Sequence, residues 1–291
     1  MYPDFILLKR PSASIWIGNK YADPVFVDRL ADADRLFEDP SCRIIKDQRK
    51  IKVARVEVMI GGKAQSIYVK RYNAFSLRSK LFSPFRHSGA SRSLQGAAIL
   101  DKALIRTAPP VAAVENRSNG ILTKSFFISE EIVGAKTADL HWLENVSAFE
   151  VDGRLHRRRE FIHSLALLFH SLHERGIYHN DLKDANILVV CQTPGSSPVF
   201  YLLDLEGIRI YHQLSERRRI KNLVQLNRTL GRYLRRSDKL AFIKNYFGVA
   251  YQHRSETIRV IRRIIVTSDR LDMAKGLPAR SGTVARELNR G

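Results

Sequence analysis

Two short segments hold most of the groups able to do chemistry. The first, Tyr178-His179-Asn180-Asp181-Leu182-Lys183-Asp184-Ala185-Asn186-Ile187-Leu188-Val189, sets carboxylates, a lysine and carboxamides close together. The second, Tyr201-Leu202-Leu203-Asp204-Leu205-Glu206-Gly207, adds further carboxylates ahead of a glycine. Moving a phosphoryl group requires such a set: a carboxylate beside the attacking hydroxyl, cations around the phosphates and hard oxygen ligands for Mg²⁺. A polar turn between a helix and a hairpin would also be rich in Asp and Asn. It would predict neither the order of these residues nor the second segment.

His179-x-Asp181-Leu182-Lys183-x-x-Asn186-Ile187-Leu188 resembles the catalytic loop of the protein-kinase-like superfamily, and Leu203-Asp204-Leu205-Glu206-Gly207 resembles its metal-binding Asp-Phe-Gly turn. The resemblance implies ATP and Mg²⁺ as cofactors. It implies Asp181 as the base that orients the acceptor hydroxyl, Lys183 as a cation for the transferring phosphate, Asn186 as a metal-holding amide and Asp204 as the metal carboxylate. His179 would brace the loop. Glu206 reads equally as a second metal ligand or as a solvated turn residue. Upstream, Ile67-Tyr68-Val69-Lys70-Arg71-Tyr72 resembles the small-lobe strand whose lysine meets the nucleotide's α and β phosphates, which makes Lys70 the candidate.

The sequence also departs from protein kinases. Ser91 to Leu100 contains no acid to pair with Lys70, and Lys46-Asp47-Gln48-Arg49-Lys50, where a glycine-rich loop would cover the phosphates, contains no glycine. Arg49 or Lys50 could meet the phosphates instead, although such a run is more often a solvated hairpin. Ser129-Glu130-Glu131-Ile132 is where the lobes would join and adenine would dock on backbone groups. Few residues separate Asp204 from a helix starting near Ser215, which leaves little room for a peptide platform, and Asn180 stands where many protein kinases carry an arginine.

Three further blocks resemble the bacterial lipopolysaccharide core kinases, the heptose and keto-deoxy-octulosonate kinase group. They are Val69-Lys70-Arg71-Tyr72, Thr107 to Ala113, and Asp204 to Gly207 leading into Lys221 to Asn227 and Leu240 to Tyr246. This resemblance spans roughly residues 40 to 250 and implies phosphorylation of a sugar hydroxyl on an anionic, lipid-linked acceptor at the cytoplasmic membrane face. A kinase for another small molecule or a protein is the alternative. A silent kinase fold that binds anionic membrane or nucleic acid is the other. Intact Lys70, Asp181, Asn186 and Asp204 argue against the silent fold, and no specific nucleic-acid partner is expected.

The elements that position these groups follow from a change in hydrophobic period, from two to 3.6, partway along the chain. Cys42 to Lys46 and Ile51 to Ile60 alternate, and Gly61-Gly62 turns the second strand into Ala64 to Tyr72, so three antiparallel strands are expected. Part of Phe75 to Leu104 reads as an inserted helix, after which Val111 to Glu115 and Ser125 to Ile132 return to strand. From Arg157 the chain is helical, with a stripe of Phe161, Ile162, Leu165, Ala166, Leu168, Phe169 and Leu172 ending at Gly176. Short strands Ile187 to Val190 and Val199 to Leu203 follow, then helices capped near Ser215 and near Ser237 or Asp238. The expected fold is α+β: a bilobal protein-kinase-like fold with a small antiparallel-sheet N-lobe (41–133) and a mainly helical C-lobe (134–266). An N-terminal extension (1–40) precedes it, and a loosely ordered tail (267–291) follows.

Composition sets the remaining bounds. The 291 residues, 44% hydrophobic, are enough for a buried core and roughly two lobes, which excludes a disordered chain or fibre. Lys+Arg 49 against Asp+Glu 29 gives a net charge of +20, so anionic partners are attracted. Between Val58 and Leu100 the charged residues are Lys63, Lys70, Arg71, Arg78, Lys80, Arg86 and Arg92, without an acid. Phe75, Leu77, Leu81, Phe82 and Phe85 interleave with them, as a surface meeting lipid head groups would require. Arg157 to Arg159 and Arg217 to Arg219 add clusters, each more simply read as a solvated helix face. Cys42 and Cys191 form no disulfide framework or metal spacing, consistent with a reducing compartment. No stretch approaches the roughly twenty apolar residues of a membrane span, so any membrane contact would be at the surface, and the resemblance implies a cytoplasmic location, peripheral on the inner face of the cytoplasmic membrane.

Overall fold

The computed structural model describes residues 4–73, 87–147, 154–191, 196–249 and 254–277. The cationic, aromatic stretch that holds Phe75, Arg78, Lys80, Phe82, Phe85 and Arg86 lies outside the described residues, as does most of the C-terminal tail. The chain forms two compact units, Met1–Val133 with Asp204–Ile208, and Gly134–Leu203 with Arg209–Gly291.

The first unit is built on a seven-stranded antiparallel sheet in the order β1-β2-β6-β7-β5-β4-β3. Its strands are β1 (Phe5–Arg10), β2 (Ala13–Gly18), β3 (Arg43–Asp47), β4 (Ile51–Ile60), β5 (Lys63–Asn73), β6 (Pro110–Ser118) and β7 (Ile121–Glu130). Gly61 and Gly62 both adopt positive φ, +54° and +74°, the two-residue turn whose twist suits a hairpin. That turn fixes Ile60 opposite Lys63 and hence the register that pairs Val53 with Lys70. Alternate residues of β4, Ala54, Val56, Val58 and Ile60, are buried, as the period of two requires.

Residues 1–40, set apart as an extension by their sequence, supply β1, β2 and the helix α1 (Pro24–Ala31). Asp23 caps α1 by accepting the Phe26 N–H at 2.9 Å, and Pro24 opens it without wasting a donor. Phe26, Val27 and Leu30 then bury against Ile15, Ile17, Val56, Ile67 and Val69. The sheet's core face is therefore covered by the first forty residues. The inserted helix is α2 (Gly89–Lys102), capped by Ser88, whose side chain accepts the Ser91 N–H at 2.9 Å.

In the second unit α3 (Arg154–Glu174) buries Phe161, Ile162, Leu165, Ala166, Phe169 and Leu172, the stripe expected from the sequence. Its Phe169 meets Phe242 of α5 (Arg236–Phe247) edge to face at 5.7 Å. Short strands β8 (Lys136–Thr137), β10 (Ile187–Val190) and β11 (Val199–Leu202) form one small sheet, and β9 (Ile177–His179) pairs with β12 (Ile208–Ile210). α4 (Glu216–Arg228) packs against α6 (Arg254–Met273). The chain past residue 267, expected to be loosely ordered, stays helical to Met273. Asp272 is fully buried and takes the Arg228 Nε at 2.8 Å, while Ser268 accepts from Asn227 at 2.9 Å. Buried partners, invisible to composition, hold these turns.

Candidate active site

In the second unit, the segment from His179 to Asn186 is a tightly bonded loop between β9 and β10. His179 is 1% exposed. Its Nδ1 accepts the Asp181 N–H at 3.1 Å, so its Nε2 carries the proton and donates to the Leu203 carbonyl at 2.8 Å. The imidazole thus braces the loop against the strand that leads to Asp204. Asn186 spends both amide hydrogens on Asp181, at 2.7 Å to its carbonyl and 3.2 Å to its carboxylate, which leaves its own amide oxygen as an acceptor. Lys183 meets the same carboxylate at 2.7 Å. Asp181, Lys183 and Asn186 are therefore brought together around one carboxylate. The Asp181 and Lys183 side chains are 41% and 39% exposed, and a pair so wet adds little stability.

The loop is held from beneath by one face of α4 and its C-terminal cap. Asn222 donates to the His179 carbonyl, Gln225 accepts the Leu182 N–H at 3.1 Å and donates to the Asn180 carbonyl at 2.7 Å, and Thr229 accepts the Asp184 N–H at 3.4 Å. Positions 222, 225 and 229 follow the helical period, so one stripe satisfies four backbone groups of the loop. Behind it, His173 donates through Nε2 to Asn222 at 3.3 Å and accepts from the Tyr246 hydroxyl at 2.7 Å. Burial drives His173 down to about 4, against the Asn222 hydrogen bond. Burial likewise pushes Tyr246 up to about 12. Asn222, Gln225 and Tyr246 fall in blocks that carry the family resemblance but take no role from it, and His173 and Thr229 lie outside those blocks. Their signal is a set of amides among the apolar residues Ile220, Leu223, Val224 and Leu226.

In the first unit, β5 turns Ile67 and Val69 into the core under α1, which puts Lys70 and Tyr72 on the opposite face, beside α2. Lys70 forms an ion pair with Asp204 and lies 4.9 Å from the centre of the Tyr72 ring. Burial disfavours the ammonium, but Tyr72 and Asp204 outweigh it and hold its pKa above the ordinary lysine value. Asp204 has φ 58° and ψ 52°, a left-handed conformation that costs a non-glycine residue energy and that Asp tolerates better than most. Leu203, immediately before it, donates to the Asn186 carbonyl at 2.9 Å. Arg92 of α2 pairs with Glu206 at 3.1 Å.

Other sequence expectations find different places. Asn73 binds the Arg49 carbonyl at 3.2 Å and the Lys50 carbonyl at 3.0 Å, which pins the glycine-free turn to the end of β5. The Glu130 and Glu131 N–H groups donate to the Pro109 and Ser66 carbonyls at 2.9 and 3.0 Å. In the two arginine clusters Arg157, Arg159 and Arg217 are exposed, as a solvated face requires, while one member of each is held. Arg158 is buried on Asp238 and stacks over Trp142 at 4.9 Å, and Arg219 meets Glu174 at 2.7 Å. Among the described residues no group of three or more His, Cys, Asp or Glu could hold a metal, so any metal here would lean on few protein ligands. No described helix is long and apolar enough to cross a membrane.

An antiparallel sheet with a half-buried lysine, a His-x-Asp-x-Lys loop ahead of a short hairpin, and a left-handed Asp after it define a protein-kinase-like phosphotransferase fold. A solved structure of WaaP in complex with acyl carrier protein shares that fold, with a TM-score of 0.61 and 21% sequence identity over 84% of this chain and 92% of that one. The lipopolysaccharide kinase (Kdo/WaaP) family model matches residues 40–246, and the chain belongs to this family of kinases. No curated protein matches the chain in sequence.

Proposed function

We propose that this kinase transfers the γ-phosphoryl group of ATP to a sugar hydroxyl of the lipopolysaccharide inner core at the cytoplasmic membrane face. The observation that carries this reading is Asp181, whose carboxylate is oriented by Lys183 and Asn186 yet stays accessible. Asp181 accepts the proton of the acceptor hydroxyl as its oxygen bonds to the γ-phosphorus. The bond to the bridging β,γ oxygen breaks, and ADP leaves with the electron pair. Lys183 stands by for the charge on the transferring group, and Lys70 for the α and β phosphates. By the family resemblance Asn186 and Asp204 would hold Mg²⁺: an amide oxygen and a carboxylate are hard donors, and Mg²⁺ usually takes only one or two protein ligands beside water and phosphates. When bound, the ion neutralises phosphate charge.

The acceptor class rests on the family match and on the short segment between Asp204 and α4, residues 205–215, which offers no extended peptide platform. The test is incubation of the full chain with radiolabelled ATP, Mg²⁺ and a panel of lipid A-core precursors, free sugars and proteins. Label on the core precursor, lost in Asp181→Asn, is the expected result. Label confined to proteins or to a soluble sugar would overturn the acceptor.

A further inference from the structure

Lys70 needs a held position if it is to meet nucleotide phosphates, and in protein kinases a glutamate on the neighbouring helix provides it. Here α2 carries no acid between Ser91 and Leu100. The contacts around Lys70 nevertheless close into a ring within the first unit. Lys70 pairs with Asp204; two residues on, Glu206 takes Arg92 at 3.1 Å; next to Arg92, Ser93 shares a hydrogen bond of 2.8 Å with Tyr72; and Tyr72 lies two residues from Lys70, its ring 4.9 Å from the ammonium.

Two more features tighten the ring. A Cβ on Gly96, one helical turn beyond Arg92, would collide with the Leu205 carbonyl oxygen, so the α2 backbone sits directly on the turn that bears Glu206. Arg92 also donates to the His87 carbonyl at 2.7 Å, which ties its guanidinium to the start of the helix that Ser88 caps. The arginine is thus fixed at both ends.

We propose that Glu206 is a positioning residue which, through Arg92, locks α2 to the 205–207 turn and so performs with reversed polarity the task of the absent helix glutamate. This rests on the nucleotide-binding role given to Lys70 and Asp204 above. Of the two readings of Glu206, the proposal takes the carboxylate as a clamp on a guanidinium rather than as a metal ligand.

The test compares wild type, Glu206→Gln, Arg92→Glu and the charge swap Arg92→Glu/Glu206→Arg in the full chain. Hydrogen exchange over residues 89–102 reads the lock itself without nucleotide. A fluorescent ATP analogue, titrated with Mg²⁺ and with EDTA, reads its consequence. Each single variant should speed exchange in α2 and weaken analogue binding about tenfold, the loss expected of one charge-assisted hydrogen bond, with and without Mg²⁺ alike. The swap should restore most of both. Unchanged exchange in Glu206→Gln, or a loss of binding seen only with Mg²⁺, would overturn the proposal, the latter outcome marking Glu206 as a metal ligand. Failure of wild type to bind the analogue, with the exchange effect intact, would strike the nucleotide reading and leave the lock standing.

Discussion

The Asn222 side chain donates to the His179 carbonyl at 2.5 Å, and neither residue is more than 1% exposed. The base-bearing loop is therefore positioned by a buried amide on a helix more than forty residues later in the chain, and the same amide accepts from His173. Removing it strands a carbonyl and an imidazole N–H in the core. Asn222→Ala should cost about 2–4 kcal/mol of stability, since each unsatisfied buried group costs roughly 1–3 kcal/mol. Chemical denaturation measures this. A loss below about 1 kcal/mol would show that water or a neighbour replaces the amide.

Asp204 combines a strained backbone with the Lys70 ion pair. Replacement by Ala keeps the strain and deletes the carboxylate, so Asp204→Ala should abolish Mg²⁺-dependent nucleotide binding. Calorimetric titration with MgATP checks it, and an unchanged affinity would remove Asp204 from the metal role.

Asp181→Asn preserves the shape of the side chain and its hydrogen bonds to the loop but cannot accept a proton. ATP binding should stay within about twofold while turnover falls by roughly two to four orders of magnitude, the range for a positioned acid or base. Steady-state kinetics with separate nucleotide binding distinguishes the two effects. Normal turnover would exclude Asp181 as the base.

His173 titrates near 6.5 when unfolded and near 4 in its buried site. Between those values the unfolded chain binds more protons, so stability rises with pH across that window and is lost as pH falls through it. The burial is complete, and the difference corresponds to about 3 kcal/mol. Urea denaturation at pH 7, 5.5 and 4 should show this slope. The slope should shrink in His173→Gln, which has no titratable group, and an identical profile for the variant would assign the acid sensitivity elsewhere.

The proposed membrane-facing acceptor predicts a role for the cationic run. Each basic residue near an anionic surface is worth about 1 kcal/mol, so Arg78→Ser/Lys80→Ser/Arg86→Ser should lower partitioning to anionic liposomes on the order of a hundredfold at low salt. Raising salt should mimic the mutation by screening the same contacts. Sedimentation at two ionic strengths decides it; equal binding by wild type and variant would favour a soluble acceptor.

Local chemistry was legible in the chain itself. The Gly61-Gly62 turn, the apolar stripe of α3 and the order His179, Asp181, Lys183, Asn186, Asp204 each arise from neighbours in sequence, where turn geometry and period constrain which residues fit. Long-range pairing was not legible. That residues 1–40 complete the sheet, that Arg158 and Arg219 are consumed by Asp238 and Glu174, that Asp272 keeps α6 helical to Met273, and that Glu206 faces Arg92 all depend on partners tens of residues away. A charged or amide side chain reads the same in sequence whether it is solvated or clamped. Only the fold decides, because burial removes water and leaves each such group dependent on the one partner that the packing brings within reach.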